Sequence, residues 1–190
     1  MNATTILVSI STNGYVGSGD SRSPTMTPDG RFVAFVSAAR NLVPKDTNGI
    51  PDVFVRDLMG GRTVLASVGA ASRQWPTALT QTSEAPAITP DGRYVAFYST
   101  ATNLVPGVPP GGDIYVRDLT ANTTVWASAY ARVALGTNMV ACFNHVISDD
   151  GQSVAYEASP TNTFSGTVLR YQVGTGQTDL VDSLFYARGP

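Results

Sequence analysis

The sequence predicts an all-β fold built from repeated four-stranded antiparallel sheets. Three observations lead there. First, Thr27-Pro28-Asp29-Gly30-Arg31-Phe32-Val33-Ala34-Phe35 returns 62 residues later as Thr89-Pro90-Asp91-Gly92-Arg93-Tyr94-Val95-Ala96-Phe97. A weaker copy, Ser148-Asp149-Asp150-Gly151-Gln152-Ser153-Val154-Ala155-Tyr156, follows after another 59. Periods of this size mark repeat architectures. Second, every period holds the same four runs rich in β-branched and aromatic residues. Third, 12 Pro and 18 Gly interrupt the chain too often for the long 3.6-residue periodicity of a helical repeat.

The first period runs from Pro24-Thr25-Met26-Thr27 through the turn Pro28-Asp29-Gly30 into Arg31-Phe32-Val33-Ala34-Phe35-Val36. Asp-Gly between two such runs predicts a hairpin, because Gly takes a positive φ without steric cost. A longer connection, 39–51, leads to Asp52-Val53-Phe54-Val55-Arg56-Asp57-Leu58, and a Gly60-Gly61 turn to Thr63-Val64-Leu65-Ala66-Ser67. The second period repeats these runs at 87–89, 94–98, 113–119 and 124–128, and the third at 145–147, 153–156, 168–173 and 178–181. Repeats are expected over about 17–68, 79–129 and 139–183, within one domain of 190 residues. Phe32-Val33-Ala34-Phe35 is apolar on both faces, as an inner strand sandwiched between neighbouring sheets would be.

Four consecutive antiparallel strands per repeat describe the blade of a β-propeller. Segment 4–10 aligns through Thr5-Ile6-Leu7-Val8-Ser9 with Val64-Leu65-Ala66-Ser67 and is expected to be the orphan outer strand of an earlier blade. Propellers close with ~4–8 blades. Three blades alone are expected to leave two large apolar faces open. The chain therefore reads as a partial propeller of a longer protein, or as half of a homodimer that closes a six-bladed ring. An open three-blade stack is disfavoured, since its end faces would invite aggregation.

The Ser/Thr-Pro-Asp-Gly-Arg-aromatic-Val-Ala-Phe segment and the Asp-Val/Ile-aromatic-Val-Arg-Asp-Leu strand resemble the TolB-like β-propeller family. The resemblance covers about residues 20 to 182. It implies the propeller fold and a periplasmic or extracellular setting. It leaves function open, because such blades serve binding domains, peptidase accessory domains and some lyases.

Charged residues make up 14% of the chain, with 14 acids against 12 bases and a pI near 5.2. That balance gives no basic face for nucleic acid. The single cysteine, Cys142, rules out an internal disulfide. No stretch approaches the ~20 apolar residues of a membrane helix, and the first residues do not read as a secretory signal.

The sharpest candidate for chemistry is Asp46-Thr47-Asn48-Gly49-Ile50-Pro51-Asp52. Alternating oxygen donors around a Gly describe a calcium loop, with Asp46, Asn48 and Asp52 giving side-chain oxygens and Ile50 a backbone carbonyl. Pro44 stands where such loops carry a first Asp. The competing reading is an Asx turn in which Asp and Asn bond their own backbone. Asp29, Asp91 and the Arg56-Asp57 and Arg117-Asp118 pairs recur in register and read as structural. Arg31 and Arg93 are expected to reach such an Asp within their blade.

His145 is the only histidine. It lies three residues after Cys142, and on a regular strand the two side chains would face opposite sides. No nucleophile–base–acid set is expected, and Cys142 reads as an inert thiol. Tyr15, Trp75 and Tyr130 fall in equivalent inter-blade connectors and, with His145, are the residues expected to meet a ligand or partner. The function expected is a non-catalytic binding or scaffold module for a protein or peptide on the channel face. The alternatives are a propeller lyase or hydrolase using His145, and a fragment whose role belongs to a larger ring.

Overall fold

The computed structural model describes residues 4–71, 82–101, 103–109, 111–161 and 166–183. They form three four-stranded antiparallel sheets, each made of consecutive strands. Blade 1 holds β1 (Ser21–Met26), β2 (Phe32–Ser37), β3 (Asp52–Asp57) and β4 (Arg62–Leu65). Blade 2 holds β5 (Ser83–Ile88), β6 (Tyr94–Ser99), β7 (Asp113–Asp118) and β8 (Thr123–Trp126). Blade 3 holds β9 (Val140–Ile147), β10 (Ser153–Pro160), β11 (Thr167–Gln172) and β12 (Thr178–Ser183). A short helix, α1 (Ala131–Leu135), lies in the connector between blades 2 and 3.

The Asp-Gly turns form as the sequence predicts, and a hydroxyl locks each one. Thr27 Oγ1 donates to Asp29 Oδ1 at 2.5 Å, and that oxygen also accepts the Arg31 N–H at 3.0 Å. Thr89 with Asp91 and Ser148 with Asp150 repeat the hydroxyl–carboxylate bond. These donors hold the Asp29 and Asp150 carboxyls below their ordinary range.

The blades stack through the apolar faces of their middle strands. Ala34, Val36, Val53 and Val55 of blade 1 meet Val95, Phe97 and Tyr115 of blade 2. Ala96, Ile114 and Val116 then meet Val154, Tyr156, Leu169 and Tyr171 of blade 3. Both faces of β2, β3, β6 and β7 are covered, which explains their continuous apolar runs. Phe54 and Phe97 are completely buried, each a gain of about 1.5–3 kcal/mol over exposure. The aromatic that follows each Arg reaches across to the next blade, where Phe32 lies against Gly92 and Tyr94 against Gly151.

The two end faces differ from expectation. Segment 4–9 forms no strand; the only pairing nearby is a bridge between Ile10 and Val16. A blade's outer strand pairs with the third strand of its own sheet, as β4 does with β3, and segment 4–9 has no such neighbour. Instead the N-terminal stretch folds over the leading face of blade 1. Val8 packs with Phe35, Leu42 and Phe54, and the Ile10 carbonyl accepts the Thr63 hydroxyl at 2.5 Å. Arg56, buried in this face, donates to the Ser11 carbonyl and the Thr63 hydroxyl.

The trailing face of blade 3 is mixed: Val146 on it is 61% exposed, but polar side chains interrupt the apolar surface. Strand register equates Phe32 and Tyr94 with Ser153, Val36 and Tyr98 with Glu157, and Val55 and Val116 with Arg170. Glu157 accepts a bond from Asn144 at 3.0 Å, and exposed Arg170 pairs with Asp179 at 2.5 Å. At three positions where blades 1 and 2 present a contact to their successor, blade 3 presents a polar side chain.

Candidate functional site

The candidate residues sort onto two edges of the blades. Register sets Ser37 beside Asp52 at one edge of blade 1 and Phe32 beside Asp57 at the other. The first edge also carries the long β2–β3 and β6–β7 loops and the inter-blade connectors. The second carries the tight turns.

On the tight-turn edge, Arg31 grips Asp57 through Nε at 3.1 Å and a terminal nitrogen at 2.9 Å. Arg93 grips Asp118 in the same way, at 3.1 and 2.7 Å. The Arg31 bond holds the Asp57 carboxyl down at about 2, against an ordinary 3.8. Each guanidinium also lies 4.6 Å from the centroid of the following ring, Phe32 or Tyr94. Repetition in register makes these clamps parts of the blade rather than a reactive site.

On the connector edge, each of the first two blades closes with a latch. Ser67 Oγ donates to Asp52 Oδ1 at 2.5 Å and accepts the Val53 N–H at 3.0 Å. Ser128 does the same with Asp113 and the Ile114 N–H. The latch ties the end of the outer strand to the start of the third. Asp113 has further partners: Trp126 Nε1 at 2.9 Å, and both terminal nitrogens of Arg132 at 2.8 and 2.9 Å. Asp113 and Arg132 are both buried.

Loop 46–52 forms the Asx turn, since Asn48 Oδ1 accepts the Ile50 N–H at 3.1 Å. Asn48 Nδ2 donates to Asp52 Oδ2 at 2.6 Å and to the Ala70 carbonyl at 3.1 Å. Asp46 accepts the Asn48 N–H, and its Oδ1 is buried without a partner. Burial raises both carboxyls, Asp52 to about 6. Ile50 is buried in the core between blades 1 and 2. The structure thus gathers Asp46, Asn48 and Asp52 around one turn. Among the described residues, no three His, Cys, Asp or Glu side chains gather to hold a metal.

His145 lies beside the backbone of Ala85 and Ala96 in blade 2, and burial lowers its pKa. Its Nε2 is buried without a partner. Cys142 also faces blade 2, in the apolar core, and burial pushes its thiol up to about 12. The expectation that the two face opposite sides fails because of a bulge. Asn144 has φ +49, and the register slips there, which adds a residue and restores both to one face. They remain unpaired with each other, and the thiol is no nucleophile at neutral pH. The same bulge occurs at Ser23 and Ala85, where Pro24 and Pro86 take the place of His145.

Tyr15 is 69% exposed and Tyr130 45%, both on connectors. Val16, Val68, Val133 and Met139, also in the segments that lead into or connect the blades, are exposed as well. Sequence reasoning missed these four because single apolar residues in loops carry no periodic signal. Trp75 lies outside the described residues. His145 lies against blade 2 inside the stack, whereas Tyr15 and Tyr130 are exposed on connectors, so the three do not form one site.

Comparison with solved structures settles the architecture. TolB from Acinetobacter baumannii superposes with a TM-score of 0.52 at 18% identity, over 90% of this chain and 34% of that one. The chain has the β-propeller fold. A putative TolB from Agrobacterium tumefaciens gives 0.50 at 15% identity, over 87% of this chain and 47% of that one. The β-propeller domain of the Trilobed protease from Pyrococcus furiosus gives 0.51 at 13%, over 85% and 41%. This chain therefore spans less than half of each of these propeller proteins. No family model and no curated protein matches the sequence.

Proposed function

We propose that the three blades are a non-catalytic binding module whose connector edge receives a protein or peptide. The observation that carries this reading is the exposure of Tyr15, Val16, Val68, Tyr130, Val133 and Met139 in the segments that lead into or connect the blades. Tyr and Met are enriched in interface cores. The tight-turn edge is instead lined by the Arg31–Asp57 and Arg93–Asp118 clamps. A half-buried His145, whose Nε2 is out of solvent, and an inert Cys142 favour binding over a lyase or hydrolase. The likeness to TolB supports a periplasmic or extracellular setting, and no helix among the described residues is long and apolar enough to cross a membrane. The polar side chains that interrupt the trailing face of blade 3 favour an open arc over a two-copy ring.

The test is site-specific photo-crosslinking in the source cell. A crosslinking residue at position 15, 130 or 139 should trap a discrete partner, and one at Met59 on the opposite edge should not. Equal trapping at both edges would refute the reading. So would turnover of a peptide or ester substrate that His145→Ala abolishes.

A further inference from the structure

Blades 1 and 2 bury the same carboxylate but neutralise it differently. Asp113 receives a two-pronged bond from Arg132, nineteen residues on, and a third donor from Trp126. The equivalent positions in blade 1 are Ala71 and Leu65. Asp52 is 0% exposed and has only the neutral donors Ser67 and Asn48. Blade 1 also adds a second carboxylate, Asp46, 7% exposed, whose Oδ1 meets no donor. Two carboxylates are thus taken out of water where blade 2 has one carboxylate and one guanidinium. Buried charge without compensation is costly enough that a counter-charge is expected. Among the described residues, the cation whose charge reaches Asp46 is Arg40, an exposed side chain.

We propose that a calcium ion supplies this counter-charge, bound by Asp46, Asn48 and Asp52 with the Ala70 carbonyl. Asn48 Nδ2 now sits between Asp52 Oδ2 and the Ala70 oxygen, as the donor shared by two acceptors. A half-turn of the Asn48 amide would set its oxygen between them and complete the ligand set, giving up the bond it now accepts from the Ile50 N–H. Every donor is a hard oxygen, and two carboxylates match a divalent charge. Calcium accepts 6–8 such ligands in loose geometry and completes its shell with water, whereas magnesium demands a tighter octahedron. The set contains no sulfur or imidazole that would favour zinc. The ion would fasten loop 46–52 to the connector at Ala70, the task that Arg132 performs between α1 and β7. This proposal is independent of the partner surface, which uses other residues.

The test uses the full chain stripped with a chelator. Equilibrium dialysis against radioactive calcium should show one site per chain, and calcium should raise the thermal midpoint more than magnesium does. Asp46→Asn should remain folded in chelator and bind calcium roughly 10–100-fold more weakly. Ala71→Arg, which imports the blade 2 solution, should abolish the calcium response while keeping or raising the chelator midpoint. Absence of stoichiometric binding at about 1 mM calcium, the weak end for extracellular modules, would overturn the proposal whether or not the variants fold. Equal affinity in wild type and folded Asp46→Asn would also overturn it.

Discussion

Gly92 lies directly against the ring of Phe32, so that a β-carbon added there would collide with it. The equivalent Gly30 opens blade 1 and has nothing within 4 Å. Their φ values are nearly equal, +72° and +74°. Gly30→Ala therefore costs only the left-handed backbone term, about 1–2 kcal/mol. Gly92→Ala adds overpacking of about 1–3 kcal/mol. Urea unfolding of the two variants measures the difference, and equal losses would show that the blades are not in contact there.

Arg132→Met should be among the most destabilising substitutions in the chain. It leaves Asp113 buried without its charged partner, at a cost of about 3–5 kcal/mol. Adding Asp113→Asn should recover part of that loss, because the amide carries no charge to strand. Denaturation of both single variants and the double gives the coupling, and strict additivity would argue against the pair.

Acid should weaken the fold in two steps. His145 is held below its ordinary 6.5, so its contribution is present above that pH and is lost as pH falls and the unfolded imidazole takes a proton first. Asp57, held at about 2, contributes fully above 3.8 and loses that contribution as pH falls toward 2. Asp52 opposes the first step. Its carboxyl is raised to about 6, so its contribution is present below 3.8 and lost as pH rises through 6. The His145 step is isolated by comparison with His145→Pro, which reproduces the residue found at positions 24 and 86. Urea midpoints at about pH 8 and pH 5 should fall more for wild type than for the variant. A parallel fall would remove His145 from the account.

Glu157→Val combined with Arg170→Val gives blade 3 the apolar side chains that blade 1 carries at Val36 and Val55. The double variant should self-associate with rising concentration, while the wild-type chain associates less. Static light scattering across a concentration series distinguishes them. Similar behaviour would mean that the trailing face does not control assembly.

The repeating parts of the fold were legible because they obey local rules. The Asp29-Gly30 and Asp91-Gly92 turns and the Phe32–Phe35 and Tyr94–Phe97 strands are set by neighbours in sequence, and the structure keeps them. The Arg31–Asp57 clamp was legible from its repetition. The Arg132–Asp113 pair was not, because α1 has only five residues and no pattern pointed to it. Segment 5–9 carried a strand signal that nothing beside it satisfies. The relation of Cys142 to His145 depended on a bulge at Asn144, and a single inserted residue is invisible in an alternating pattern. The closeness of Asp46, Asn48 and Asp52 was evident from spacing, whereas the missing counter-charge emerged only from comparing two blades in three dimensions.

The serine latches have a consequence for how the molecule is made. Asp52 and Ser67 are fifteen positions apart, as are Asp113 and Ser128. Each sheet can therefore fasten itself from a short stretch of newly emerged polypeptide, before the following sheet exists. Assembly can proceed in the order of synthesis, with each finished sheet serving as a template on which the next one condenses.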